Sequence, residues 1–583
     1  MDVPEFDNVT IAQLLDTTGD LLELARVDKF RFLSYHKAAA AVRAWPEQLS
    51  VLAEEGRLTE VPGIGKKLAV AIEQILSTGT FAEYEEAVAV FPPTLAEVMQ
   101  VIGVGPVRAR TLYETLSIAS VADLEKALAD GRLSEIPNFR EKTIANIAAG
   151  VDVYLRTHGR TMLMKALPLA EHVLEVLRAL PSVERAEPAG SLRRMRETVG
   201  DIDVLASSAE PDAVMAAVRE LPIVVRVIGS GTSKTSVLTT AGLQVDVRVV
   251  RPEQFGAALQ YFTGDKQHNI ALREIAKKRH LKVNEYGVFR VDEAGSEIER
   301  LGGATEDEVY ALLGMETPPP EIRQGTGEIE AALERRIPRL LELADIRADM
   351  HLHTNSTDSR SSVEDNRAKA AELGYEYLAV TDHAYNLRMV KGLDVEQLRE
   401  QWARVDELNS LAGPRILKGI ELNIGEDGSL DYPDEVLSQF DFCIASLHAG
   451  WGDPQEVATA RLVKAMESPF VDIIGHPTGR IIGRRDPIPL NMEVVLAKAA
   501  ETGTLMEINA YPDRLDLSDV HLRLAKKHGV RFALGTDAHH CEQMGYMRYG
   551  VSDARRGWVT AEEMLNAQAL NVALSWLKRN RAG

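Results

Sequence analysis

The sequence predicts a multidomain chain: an all-α N-terminal part, a mixed α/β centre, and a C-terminal barrel of parallel strands and helices. Three observations predict it. The chain has 583 residues, too many for one hydrophobic core. Over residues 1–155, apolar residues recur at three- and four-residue spacing, as in IAQLLDTTGDLLELA and LAVAIEQIL, which is the period of amphipathic helices. After residue 335, seven apolar runs alternate with helical patterns, and six of them end in metal-ligand residue types: DMHLH, AVTDH, LKGIELN, FCIASLH, DIIGHP, LMEINA and FALGTDAH. Parallel strands joined by helices, with polar residues at the strand C-termini, describe a (β/α) barrel.

Composition narrows the function classes. Apolar residues make up 45% and charged residues 26%, which excludes a mostly disordered, collagen-like or coiled-coil chain. No apolar run approaches the roughly 18 residues that span a bilayer, so no membrane partner is expected. The start MDVPEFDNVT lacks a signal peptide's basic and apolar stretches, and Cys443 and Cys541 cannot staple a secreted scaffold of this size. A cytoplasmic protein is expected. The net charge of −21 divides into −7 over residues 1–300 and −14 beyond. An acidic total does not exclude nucleic acid, because metal-binding carboxylates are counted before their ions.

In the helical part, Val61-Pro62-Gly63-Ile64-Gly65-Lys66-Lys67 and Val101-Ile102-Gly103-Val104-Gly105-Pro106-Val107-Arg108 each place two glycines in a turn between helices. Such turns bring backbone N–H groups close to an anion at a helix N-terminus. Both resemble helix-hairpin-helix elements, which hold DNA phosphates without reading bases. Gly63, Gly65, Lys67, Gly103, Gly105 and Arg108 are therefore candidate DNA contacts. A third stretch, Ile136 to Lys142, lacks both glycines and carries little weight. An ordinary turn between two helices is the competing reading for each copy alone.

In the centre, Asp201 and Asp203 fall at i and i+2 of a strand and share a face. Asp246, in VDVRVV, supplies a third carboxylate from a second strand. Three carboxylates on neighbouring strands suit two divalent ions about 3.5–4 Å apart and in-line phosphoryl transfer, and Mg²⁺ fits such a site. Gly190-Ser191 ahead of them offers an N–H and a hydroxyl to a phosphate, and Arg194 a two-pronged donor.

GSLRRMRETVGDID, VDVRVV and YFTG, in this order, resemble family X DNA polymerases, the DNA polymerase beta group, over about residues 1–317. The resemblance implies an 8-kDa-like helical domain (1–82), fingers (83–157), a nucleotidyltransferase palm (158–252) and a small α+β thumb (253–316). It implies that Asp201, Asp203 and Asp246 are catalytic metal ligands and that Ser191 and Arg194 hold phosphates. Tyr261 and Phe262 would lie along the nucleotide sugar, Gly264 would belong to the nucleotide site, Asn269 and Arg273 would lie near the incoming base and the template side of the minor groove, and Lys234 near DNA. The family's Schiff-base lysine position is Ala71 here, so 5′-deoxyribose-phosphate lyase activity is expected to be weak or absent. YFTG is also followed by Asp265-Lys266 where the family has a small residue.

A Pro-, Gly- and Glu-rich stretch reads as a linker at 317–335. The barrel (336–583) then offers His351, His353, Asp358, His383, Glu421, His448, His476, Asp537 and His539 at or just after strand ends. Imidazole and carboxylate together suit Mn²⁺, Zn²⁺ or Fe²⁺, and nine ligands exceed the needs of one ion and point to three, with Mn²⁺ or Zn²⁺ the expected occupants, able to activate water toward a phosphodiester. His521, His528 and His540 read as ordinary surface or core histidines. The set resembles a PHP domain, a distorted (β/α)7 barrel, with Glu507 and Asn509 expected to support ligands. Arg480, Arg484 and Arg485 are candidates for phosphate contact, against the reading of a merely exposed charged loop.

The joined domains resemble the PolX group of bacterial and archaeal family X polymerases. This implies gap filling on gapped or primer-template DNA with dNTPs, a Mn²⁺-dependent 3′→5′ exonuclease, and an apurinic-site endonuclease sharing the barrel site. The expected setting is base excision repair by a nucleoid-associated monomer. Two alternatives are a DNA-bound phosphoesterase with a non-catalytic polymerase module, and a polymerase with a purely structural PHP domain. The intact aspartate trio speaks against the first, and the complete ligand set against the second.

Overall fold

The computed structural model describes residues 8–45, 49–61, 63–101, 103–137, 139–158, 160–387 and 390–578. Pro62, Ile102 and Asn138 of the hairpin motifs lie outside the described residues. The chain forms two compact units, 1–159 and 160–583. The first unit is helical and holds two cores. Helix Asn8–Leu24 serves both: Ile11, Ala12 and Leu15 face one core, Leu21 and Leu24 the other. Both hairpins connect helices. Gly63 and Gly103 take φ of +85° and +88°, where a side chain would be strained.

The second unit begins with a five-stranded sheet in the order Val183–Pro188, Ile202–Ser208, Gln244–Val250, Lys234–Thr239, Val224–Ser230. Only the pair Ile202–Ser208 and Gln244–Val250 is parallel. Strand alternation sends Ile202, Val204, Val245 and Val247 into one core with helices Leu163–Arg178 and Pro211–Arg219. Asp203 and Asp246 therefore emerge together on the opposite face. Helices Phe255–Thr263, Lys266–Lys278 and Glu306–Leu312 and the antiparallel strands Leu281–Asn284, Gly287–Val291 and Glu297–Gly302 follow as the small α+β part.

The C-terminal barrel is wholly parallel. Its strands form two sheets, Ala348–Asp349, Tyr377–Val380, Arg415–Lys418 and then Glu421–Asn423, Cys443–Ser446, Val471–Gly475, Leu505–Asn509, Phe532–Gly535. The two sheets meet within LKGIELN, where the predicted third strand is interrupted at Gly419-Ile420. A bridge between Leu352 and Ala538, and the Met350 N–H donating to Leu534 O at 3.1 Å, close the ring.

Residues 317–335 connect these parts as a packed strap. Ile322, Arg323 and Glu328 are fully buried. His268 Nδ1 donates to Glu328 at 2.8 Å, which leaves Nε2 to accept from the Tyr310 hydroxyl at 2.8 Å. The palm also docks on the barrel. Leu515 and Tyr549 of the barrel enter the palm core, Arg556 donates to Met195 O, and Arg480 pairs with Glu197 at 2.6 Å. Arg480 is thus not the phosphate contact that its position after GHP suggested: Glu197 and the carbonyls of Arg514 and Leu515 take its donors.

Glu306 shows how tightly the strap is tied. It accepts from Arg193 at 2.9 and 2.6 Å and pairs with the buried Arg323. Burial alone would raise its carboxyl, but the charges of Arg323 and Arg193 outweigh that and hold it at about 2. Glu306→Gln should cost about 3 kcal/mol at pH 7, measured by denaturant unfolding. The group's contribution is fully present above the ordinary value of 4.5 and disappears as pH falls toward the folded one. The gap between variant and wild type should therefore shrink at pH 3.

Candidate active sites

The palm site follows from strand register. Asp203 and Asp246 are partners across the parallel pair, and Asp201 precedes Asp203 by one pleat. The three offer oxygens within 4.8 Å of one another. Burial, then repulsion from Asp201 and Asp246, pushes Asp203 up to about 6. Burial and Asp246 raise Asp201. Burial pulls Asp246 the same way, but hydrogen bonds from Lys234, Ser236 and Gln244 win and lower it. Among the described residues neither Asp201 nor Asp203 has a side-chain ion pair within 4 Å, and the charges of Lys234, Arg160 and Arg248 do not offset their crowding, which fits a site completed by divalent cations.

The nucleotide candidates gather around this face. Gly190 (φ +60°) lies against Asp203, and a Cβ there would sit 2.3 Å from Asp203 Oδ2. Arg194 donates to Thr263 O, and Arg193 to Thr263 Oγ1 at 2.8 Å, so the Ser191 turn is tied to YFTG. Asn269 donates to Tyr261 O and accepts from Gln260, both at 2.8 Å. Arg273 donates to Asn269 O at 3.1 Å. Phe262 lies under Arg248, 4.5 Å from its ring centre. Lys234 Nζ reaches Asp246 at 2.5 Å instead of standing free on the surface. Sequence reasoning missed the buried Gln260, because a glutamine inside an apolar helix carries no local signal of what it orients.

In the separate helical unit, a Cβ built on Gly63, Gly65 or Gly105 would meet nothing within 4 Å among the described residues beyond its own chain neighbours. Lys67 pairs with Glu83 at 2.9 Å, and Arg108 donates to Gly103 O at 2.6 Å. Ala71 is buried in the helix's core face.

The barrel rim gathers all nine sequence candidates. Glu421 is central. Its Oε1 lies 2.9 Å from His476 Nε2 and 3.1 Å from His448 Nε2, and its Oε2 lies 2.8 Å from His383 Nδ1. Three donor groups overlap: His353, Asp358, His383 and His539; His351, His353 and Asp537; His383, Glu421 and His448. Among the described residues, His351 Nε2 and His353 Nδ1 are buried and make no hydrogen bond, and the close pair His383 Nδ1 and Glu421 Oε2 lacks hydrogen-bond geometry. Buried polar atoms are ordinarily satisfied, so donors that converge without one fit a cluster of metal ions. Burial and the neighbouring imidazoles hold His353 down to about 3, whereas for His383 burial is outweighed by Glu421 and Asp358, which push it up to about 10.

A supporting layer orients these groups. His351 Nδ1 donates to Glu507 at 2.6 Å, His448 Nδ1 to Asn423 at 2.7 Å, and Asn509 to Asp537 at 3.1 Å. Asp382 anchors the loop carrying Asp358 through Thr354 and Thr357. Arg514 Nε lies 3.3 Å from Asp537. Asn423 and Arg514 were not legible, since their partners lie on other strands.

Comparison with known proteins agrees with this architecture. Family models match as a helix-hairpin-helix domain (residues 6–81), a SAM-like helix-hairpin-helix tandem (95–151), a DNA polymerase beta thumb (258–324) and a PHP domain (349–509). The DNA polymerase/3′-5′ exonuclease PolX of Bacillus subtilis (strain 168) is 35% identical over 98% of this chain and 99% of its own length. A probable phosphatase of Thermoanaerobacter sp. (strain X514) is 31% identical over 37% of this chain and 89% of its own. Another, from Caldanaerobacter subterraneus subsp. tengcongensis, is 33% identical over 34% and 78%.

The raised Asp203 makes protons competitors of cations in the palm. Mg²⁺ binding there should weaken as pH falls from 7 to 5, and binding near pH 5.5 should release protons, read by calorimetry in buffers of differing ionisation enthalpy. A pH-independent affinity would contradict the assignment.

Proposed function

The chain belongs to the PolX family of DNA polymerase/3′–5′ exonucleases, and from that premise we propose that it fills short DNA gaps with its palm and trims 3′ ends with its barrel. The observation that carries this reading is the pair of separate donor clusters, one of three carboxylates and one of imidazoles around Glu421.

In the palm, Asp201, Asp203 and Asp246 would hold the divalent ions, Mg²⁺ by their all-oxygen character. Bound there, the ions would make the primer hydroxyl more acidic and neutralise the triphosphate. Gly190, Ser191 and Arg194 would receive the phosphates, with Arg194 exchanging its Thr263 carbonyl for a phosphate oxygen. Tyr261, Phe262 and Gly264 would line the sugar, and Asn269, held by Gln260, and Arg273 would face the base. Lys234 would leave Asp246 when the cation arrives and turn toward DNA. The hairpin residues Gly63, Gly65, Lys67, Gly103, Gly105 and Arg108 would hold DNA phosphates.

In the barrel, His351, His353, Asp358, His383, Glu421, His448, His476, Asp537 and His539 would hold up to three ions of Mn²⁺ or Zn²⁺ character. The ions would supply a nucleophile at neutral pH and shield the phosphodiester. Glu507, Asn423 and Asn509 fix the ligand orientations. An apurinic-site cleavage would use the same groups. Carrying both sites on one chain raises the effective concentration of each for a shared 3′ end, as suits a monomer acting in base excision repair at the nucleoid. Among the described residues no helix is long and apolar enough to cross a membrane.

Asp246→Ala should abolish nucleotide addition to a 5′-phosphorylated one-nucleotide gap and leave 3′ trimming intact, and His353→Ala should do the converse. Loss of both reactions in one folded variant would contradict separate sites. Borohydride treatment with a deoxyribose-phosphate end should trap no adduct, because Ala71 offers no amine.

A further inference from the structure

One aromatic ring on the barrel rim stands where its ordinary burial would not put it. Trp451 keeps 37% of its surface exposed, although tryptophan is among the more buried residue types on average. It follows the ligand His448 by three residues and lies on Gly479, which follows the ligand His476 by three. A Cβ at Gly479 (φ +59°) would come 2.4 Å from the indole Cζ3, so the glycine is what lets the ring lie across this loop. Arg485 holds one face: its guanidinium carbon is 3.6 Å from the ring centre, and its Nε donates to Gly479 O at 2.9 Å. The indole is therefore fixed between two ligand-bearing loops, backed by a cation, with apolar surface still open.

The charges around it suit a nucleic-acid strand. Arg484 is exposed on the same loop, and Arg514 reaches the ligand Asp537 at 3.3 Å. Arg484, Arg485 and Arg514 face the carboxylates of Asp513 and Asp537, so the guanidiniums line this edge of the site beside its acidic groups. Aromatic rings interleaved with cations are how proteins hold single strands without reading sequence. A paired base is already stacked and cannot present its face, whereas an unpaired one can.

We propose that Trp451 is the base platform of the barrel site, stacking the terminal nucleobase of an unpaired DNA 3′ end while Arg484, Arg485 and Arg514 attract its phosphates. This rests on the nuclease reading and adds to it the side chain that seats the terminal base.

The test uses the full chain with Mn²⁺ and two single-stranded oligonucleotides, one ending in an ordinary nucleotide and one in a tetrahydrofuran residue that lacks a base. Wild type should favour the base-bearing end in kcat/KM by roughly tenfold, as one base–aromatic stack allows. Trp451→Ala should bring that ratio close to one, chiefly through KM, while Trp451→Phe keeps most of it. Trp451→Leu, which preserves bulk without a π face, should behave as the alanine variant does and covers the case in which alanine fails to fold. A wild-type ratio of one, or a ratio unchanged in Trp451→Leu, would overturn the platform and leave the nuclease standing. Degradation of neither strand by wild type would overturn the nuclease reading and the platform with it. A parallel fall on both strands in the variants would mark Trp451 as structural and overturn the proposal.

Discussion

Parallel strand pairing is the constraint on which both sites depend. A parallel pair sets residues of two strands side by side at the same end, so donors written far apart in the chain arrive as neighbours. Asp203 meets Asp246 in this way, and His383 meets Glu421 through an isolated parallel bridge. The apolar alternation behind them decides which face the donors use. Ile202, Val204, Val245 and Val247 take the core, and the carboxylates are left on the other side with one another. The repulsion that results raises Asp203 and Asp201 and is what a bound cation would relieve.

The two halves of the second unit are joined by buried charge as much as by apolar packing. Arg480 and Glu197 pair across the palm–barrel contact, and Arg556 and Asp553 pair beside them. Glu197 lies four residues before Asp201, so the barrel holds the segment that leads into the strand carrying Asp203. Such pairs add little net stability over apolar packing, but breaking one leaves a stranded charge. They define one docking geometry for the palm against the barrel.

The legible part of the molecule was its local pattern. Two aspartates at i and i+2, the HxH of His351 and His353, and histidines closing apolar runs state their geometry within a few residues, because a strand's period is fixed. The barrel's seven runs and the helical start were legible for the same reason. The illegible part was long-range partnership. Arg480 looked like a phosphate contact because its loop is basic, while the carboxylate that claims it lies 283 residues away. The Pro- and Gly-rich stretch looked like a tether, yet Arg323 and Glu328 found buried partners in Glu306 and His268. Composition records what a segment disfavours locally and not what it packs against.

The central claim is that two distinct donor clusters gather cations, and anomalous diffraction from Mn²⁺-soaked crystals of the full chain tests it most directly. The account predicts peaks among Asp201, Asp203 and Asp246 and a second group of peaks around Glu421. Peaks absent from either place in a well-ordered crystal, or ligands there turned away from one another, would contradict it.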